Sequence, residues 1–202
     1  LHLCSHNLES IDTKNYNSDN AKHKLLLEVC LAAKHEGETL TTQHGQHQET
    51  NPGTASQLCT VLARSFADIG DIVRGRDLFL GNNKEKEKRE QLDKNLKTIF
   101  GHIYEELKND RKKSAEAQER YGSDTKNYYQ LREDWWTANR HTVWEALTCD
   151  VKSGNNYFRA TCGGEENKST LDKKQCRCKD KNGQHDTNQV PTYFDYVPQY
   201  LR

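Results

Sequence analysis

Seven cysteines carry most of the reactive chemistry in this chain: Cys4, Cys30, Cys59, Cys149, Cys162, Cys176 and Cys178. Thiolates bind zinc, act as nucleophiles or pair as disulfides, and their spacing helps to separate these uses. Cys162, Cys176, Cys178 and His185 offer the donor types zinc prefers. Cys176 and Cys178, however, have a single residue between them, tighter than the usual C-x₂₋₄-C ligand pair. No metal site is expected, and disulfides are the expected use. Paired sulfurs cannot supply the free thiolate a cysteine nucleophile needs. Disulfide frameworks are rare in the cytosol, so an exported or surface location follows. The odd count leaves one cysteine to pair elsewhere, as expected of an interior fragment.

Two other groups of side chains invite a chemical reading. His44 and His47 lie in TTQHGQHQ, a spacing that on a helix would put both rings on one face. The surrounding stretch is polar, interrupted by Gly45 and has only Glu49 as a nearby carboxylate, so it reads as a solvated loop. The segment from Lys168 to Lys181 holds Lys168, Lys173, Lys174, Arg177, Lys179 and Lys181 against Asp172 and Asp180, a local excess of four positive charges. Such a patch attracts polyanions, sulfated glycans among them, although a solvated variable loop has the same composition. Aromatic residues do not interleave with these cations, which disfavours nucleic acid. The sequence contains no G-x-S-x-G, no phosphate-cradling glycine loop and no H-E-x-x-H. No catalysis and no cofactor are expected.

The elements that would position these groups are helical. Of the 202 residues 33% are hydrophobic and 30% charged, with no net charge, so the apolar residues must be well placed to make a core. From Leu62 to Phe79 they are: Leu58, Val61, Leu62, Ser65, Phe66, Ile69, Ile72 and Val73 fall within an arc of roughly 140°. Thr60, Arg64, Ala67, Asp68, Asp71 and Arg74 take the other face. Ser56 is placed to cap this helix and Gly75 to end or bend it. A looser stripe (Leu26, Val29, Cys30, Ala33, Leu40) marks a helix over Ala21 to Leu40, followed by an exposed loop from Thr41 to Gly53. Leu92, Leu96, Ile99, Ile103 and Leu107 mark a long one from Lys84 to about Lys113. Tyr129, Trp136, Val143 and Leu147 mark another from Lys126 to Thr148, broad enough in its aromatic face to be buried between neighbours. Ser114 to Thr125 reads as polar loop or frayed helix. Cys149 to Pro191 loses helical period, and Tyr193 to Arg202 reads as the start of a further helix. The fold class is mainly α: a disulfide-supported bundle of about four long helices with long polar loops. Phe66, Ile69, Leu96, Ile103, Trp136 and Val143 are expected to share its core. No apolar run reaches the roughly 20 residues of a membrane span. The chain lacks methionine and opens in mid-pattern at Leu1, which reads as a piece of a larger protein.

Beyond periodicity, the wording of several blocks is distinctive. LARSFADIGDIVRGRDLF (Leu62 to Phe79) and VPTYFDYVPQYLR (Val190 to Arg202) resemble the blocks that bound the variable segment of Duffy-binding-like alpha domains, from the variant erythrocyte membrane proteins of Plasmodium falciparum. LREDWWTANRHTVWEALTC, YFRATCGG, LHLCSHNLE and EVCLAAKHEGETL are similar to the same family in order and spacing.

The resemblance implies a Duffy-binding-like fold in which residues 1–20 end a first subdomain and its linker. Residues 21–192 form the second subdomain, with a cysteine-rich variable loop at 149–191, and residues 193–202 begin the third. It also implies a Cys30–Cys149 bridge between two helices and an upstream partner for Cys4. The pairing of Cys59, Cys162, Cys176 and Cys178 stays open. The implied function is extracellular adhesion at the infected-erythrocyte surface, in rosetting or cytoadherence. Its partners would be a host receptor or a heparan-sulfate-like or blood-group glycan, and antibodies, with membrane attachment only through the parent protein. The alternative is a non-binding scaffold with an antigenically variable surface, whose parent adheres through neighbouring domains.

Overall fold

The structure is a computed structural model and describes residues 13, 20–51, 57–78, 82–152, 162, 175–178 and 189–202. Among these there are five α-helices and no strand: α1 (Ala21–Thr50), α2 (Leu58–Arg74), α3 (Asn83–Asn109), α4 (Ser114–Tyr121) and α5 (Tyr129–Leu147). None is long and apolar enough to cross a membrane. Ser56, Phe79 and Gly81, to which the sequence reading assigned a cap, a helix end and a turn, lie outside the described residues, as does Cys4. The chain divides into two compact units. One draws on Cys30–Gly70 and Arg140–Arg202, the other on Ser5–Val29 and Asp71–Asn139.

In the unit containing Asp71–Asn139, local signals set the helix ends. Asn82 accepts from the Glu85 N–H (3.0 Å) while Glu85 accepts from the Asn82 N–H (3.4 Å), a capping box that starts α3. At the end of α2, Gly75 takes φ 72°, the Arg76 N–H reaches Asp71 O (2.8 Å), and the Gly75 N–H reaches Ile72 O (3.1 Å). This is a Schellman stop. The Asp124 carboxylate accepts from the Tyr129 and Gln130 N–H groups and so opens α5. Leu92, Leu96, Ile99, Phe100 and Ile103 of α3 are buried, as are Leu131, Trp135 and Trp136 of α5. Phe100 meets Trp135 edge-on, with ring centroids 6.1 Å apart.

Arg132 has no exposed side-chain surface. Its guanidinium donates to Val73 O (2.6 Å), Ile72 O (3.0 Å) and Asp93 (2.9 Å), closing the carbonyl end of α2. A Cβ on Gly75 would lie 2.8 Å from the Arg132 Nη1, so this arginine adds to the demand for glycine there. Burial lowers the Arg132 pKa. Burial also acts to raise that of Asp93, but hydrogen bonds from Lys97 and Arg132 outweigh it and hold the carboxyl below its ordinary range.

In the other unit, Leu62, Phe66 and Ile69 of α2 pack with Val143, Trp144 and Leu147 of α5 as buried side chains. Phe66 and Trp144 meet edge-on at 5.1 Å. Ser65 donates to the buried Glu36 at 3.0 Å. A Cβ on Gly37 would lie 1.9 Å from Leu147 O, so only glycine permits this approach of α1 to the end of α5. The six residues expected to share a core are all buried: Phe66, Ile69 and Val143 in this unit, Leu96, Ile103 and Trp136 in the other.

Four expectations change. Residues 41–50 are helix rather than loop, because α1 continues to Thr50. The hydroxyls of Thr42 and Thr50 bond to Glu38 O (2.9 Å) and Gln46 O (3.1 Å), so polar side chains are satisfied within the helix and need no apolar stripe. The face of α2 assigned to Asp71 and Arg74 is buried, because the two pair at 3.0 Å and Arg74 lies over Trp136. Ser114 to Asp124 is ordered as α4 plus a 3-10 turn, Gly122–Asp124. The last residues form two 3-10 turns, Phe194–Tyr196 and Gln199–Leu201, rather than a helix start. Pro198 lacks an N–H and disfavours helical backbone at the residue before it.

Two disulfides are present, Cys59–Cys176 and Cys162–Cys178. The expected Cys30–Cys149 bridge is not formed, and both remain free thiols. Peptide mapping under non-reducing conditions should therefore return the two linked pairs, with Cys30 and Cys149 alkylated after unfolding. A Cys30–Cys149 linked peptide would contradict this arrangement.

Candidate functional site

The sequence placed the best candidate surface in the basic, cysteine-rich segment, and the structure describes the base of that segment. Cys176 and Cys178 are fully buried and Cys162 nearly so. Cys59–Cys176 ties the base to the start of α2, and Cys162–Cys178 closes the segment on itself across 16 residues. On the chain-entropy estimate these links stabilise the fold by about 5 and about 3 kcal/mol. Gln175 and Cys176 both adopt left-handed backbone, φ 57° and 56°. That conformation costs a side-chain-bearing residue about 1–3 kcal/mol and persists only where surroundings impose it. The indole of Trp144 supplies part of that, donating to Cys176 O at 3.0 Å.

Arg177 completes the base. Its Nε donates to the Thr148 hydroxyl (2.8 Å) and its Nη2 to Glu145 O (2.6 Å). The guanidinium therefore caps the carbonyl end of α5, where positive charge is favourable. Of the six cations singled out by sequence, Arg177 is thus engaged with the helix. Lys168, Lys173, Lys174, Lys179 and Lys181 lie outside the described residues.

A second feature of the same unit escaped the sequence reading. Asp195 is buried, and Arg140 grips it with two hydrogen bonds (2.8 and 2.7 Å) while also donating to Thr192 O (2.8 Å). The same guanidinium lies over Phe66, Tyr193 and Tyr196 at 5.5, 5.6 and 5.2 Å. Arg202 pairs with Asp68 at 3.1 Å. These clamps fix the backbone of residues 192–202, yet Tyr193, Tyr196 and Tyr200 remain 60%, 42% and 75% exposed. These tyrosines step by three and four, the spacing of one helix face, so periodicity pointed to the start of a helix, whereas the backbone forms two 3-10 turns that leave all three side chains at the surface.

The free thiols do not form a reactive centre. Burial and the nearby Glu145 push the Cys30 thiol up to about 11, and burial with Asp150 raises that of Cys149. A thiol raised in this way holds little thiolate near neutrality and is a poor nucleophile.

This helical, disulfide-stapled frame is that of a known domain family. The family model for the Duffy binding domain matches residues 1–202, and the chain belongs to that family. Among solved structures it is similar to the NTS-DBL1(alpha-1) domain of the membrane protein PfEMP1 from the varO strain of Plasmodium falciparum. There the identity is 40% and the TM-score 0.69, over 99% of this chain and 40% of that one. It is similar also to the NTS-DBL1-alpha and CIDR-gamma double domain of that strain, with 40% identity, TM-score 0.71, and 99% and 25% of the two chains covered. A DBLb domain of PfEMP1 bound to human ICAM-1 matches at 27% identity and TM-score 0.61, over 99% of this chain and 36% of that one. No curated protein gives a significant match. The chain spans less than half the length of these solved relatives.

Proposed function

We propose that this domain is a host-cell adhesion module that presents its basic, cysteine-rich segment to a receptor or anionic glycan on host red cells or endothelium. It would act on the extracellular side of a membrane-anchored parent at the infected-erythrocyte surface. The observation that carries the reading is the pinned base. Two disulfides, the Trp144 indole and the Arg177 cap hold residues 175–178, so the residues between the bridged cysteines can change without disturbing the helices. A segment anchored at its ends loses less entropy on binding than a free tail does. The relative bound to ICAM-1 supports a host receptor as the class of partner, and antibodies are the second class of partner in this reading.

Charge substitution tests this. Replacing Lys173, Lys174 and Lys179 together with glutamine should weaken retention on heparin, steeply so as salt rises, with little change in melting temperature. Arg177→Gln should instead lower the melting temperature, because it uncaps α5. Equal retention of the parent and the triple variant would remove the segment as the contact. It would favour the alternative, an antigenically variable scaffold whose parent adheres elsewhere.

A further inference from the structure

A short basic turn joins α3 to α4. The first helix ends at Asn109 and the second begins at Ser114; between them run Asp110, Arg111, Lys112 and Lys113, all exposed. The N–H groups of Lys112, Lys113 and Ser114 all bond to Asp110, the first to its carboxylate (2.9 Å) and the others to its carbonyl (3.1 and 2.9 Å). One exposed residue therefore holds this stretch of backbone. The helix that follows is short and lightly packed: Ala117 is its only buried residue, and Lys113 at its N-cap supplies no side-chain cap. Asp134 of α5 ties it down, accepting from the Arg120 Nη2 (2.9 Å) and the Tyr121 hydroxyl (2.8 Å). Segments with so few buried contacts open locally at a small fraction of the free energy of global unfolding.

We propose that this turn is a processing site for a trypsin-class serine protease, and that the product is a folded two-chain domain joined by the Cys59–Cys176 disulfide. Such proteases carry a carboxylate in the pocket that takes the residue before the cut bond, so they select lysine or arginine. Arg111, Lys112 and Lys113 offer three such bonds in succession. Exposed lysines such as Lys22, Lys34 and Lys86 lie inside long helices, whose packed turns must unwind before the chain can enter a cleft. In the cut, water adds across the amide; at the last of the three bonds it leaves a carboxylate on Lys113 and an ammonium on Ser114. That ammonium stands in the first turn of α4, where positive charge is unfavourable, so the helix resists closing again over the break. The cut falls within the 117 positions spanned by Cys59–Cys176, so the two pieces stay covalently joined. The contacts between α3 and α5 also survive it, since Phe100 on Trp135 and Arg132 on Asp93 involve neither the turn nor α4.

The test treats the whole chain with a low ratio of trypsin at neutral pH and follows the products by intact mass and amino-terminal sequencing, with and without reductant. Early products should include a new amino terminus at Lys112, Lys113 or Ser114. The pieces should travel as one species until the disulfides are reduced, and the nicked protein should keep the helical circular dichroism of the parent. Asp134→Asn leaves the basic run intact but loosens α4. It should speed this cut by about threefold, because ion pairs near the surface contribute modestly and cleavage follows the open population. Replacing Arg111, Lys112 and Lys113 together with glutamine should remove these termini and leave the melting temperature nearly unchanged. Chain consumed with no new terminus in the turn, pieces that separate without reductant, helical signal lost on nicking, or Asp134→Asn cut no faster than the parent would each overturn the proposal.

Discussion

Trp136→Ala should destabilise the domain by about 3–5 kcal/mol, the range for truncating a fully buried large aromatic. Trp136 has no exposed surface, and the Arg74 guanidinium lies 5.9 Å from the centre of its ring. Removing the indole leaves a cavity. It also strips the aromatic face from a buried arginine whose other partners are Asp71 at 3.0 Å and Glu133 at 3.3 Å. For a chain of this length the loss corresponds to roughly 2–4 °C of melting temperature per kcal/mol, so thermal unfolding followed by circular dichroism resolves it easily. Trp136→Phe should recover part of the loss, because it keeps a ring under the guanidinium. A Trp136→Ala protein that melts with the parent would mean that the side chain is not part of a packed core.

Arg132→Met should cost a comparable amount, about 3–5 kcal/mol, because it removes one side of a buried charged network without replacing its hydrogen bonds. Methionine nearly fills the volume, but Ile72 O and Val73 O at the end of α2 lose their donor. Asp93→Asn should cost clearly less. Asp93 is partly exposed, Lys97 reaches it at 2.8 Å, and the two backbone carbonyls keep Arg132. Denaturant titration of the two variants therefore separates the helix cap from the ion pair; equal losses would mean that the pair, not the cap, is what Arg132 provides.

The same pair predicts an acid response. The folded-state pKa of Asp93 is depressed, so its contribution is present above the unfolded value of roughly 3.9 and is lost as pH falls through the lower folded value. Below about pH 4 the parent should lose stability more steeply than Asp93→Asn. Identical slopes would indicate that Asp93 titrates normally.

How much of this was legible in the chain depends on where water lies. The helices over Leu58–Arg74, Asn83–Asn109 and Tyr129–Leu147 could be read because each must bury apolar residues, and burial imposes a period. Gly75 as a stop could be read for a similar reason, since few other residues take φ 72° without strain. The family could be read from whole blocks of sequence, which no single physical signal supplies. The second half of α1 could not: its side chains face solvent, so no period is imposed, and its hydroxyls satisfy themselves along the helix. Nor could the inward roles of Arg74, Arg132, Arg140 and Arg177. A charged residue reads as solvent-facing until a carboxylate or a helix's carbonyl end is brought to it, and these partners lie between 3 and 60 positions away. The pairing of Cys59 with Cys176 and of Cys162 with Cys178 was open for the same reason. Sequence sets which thiols exist, but only the folded backbone brings two Cβ atoms within bonding reach and leaves Cys30 and Cys149 unbridged.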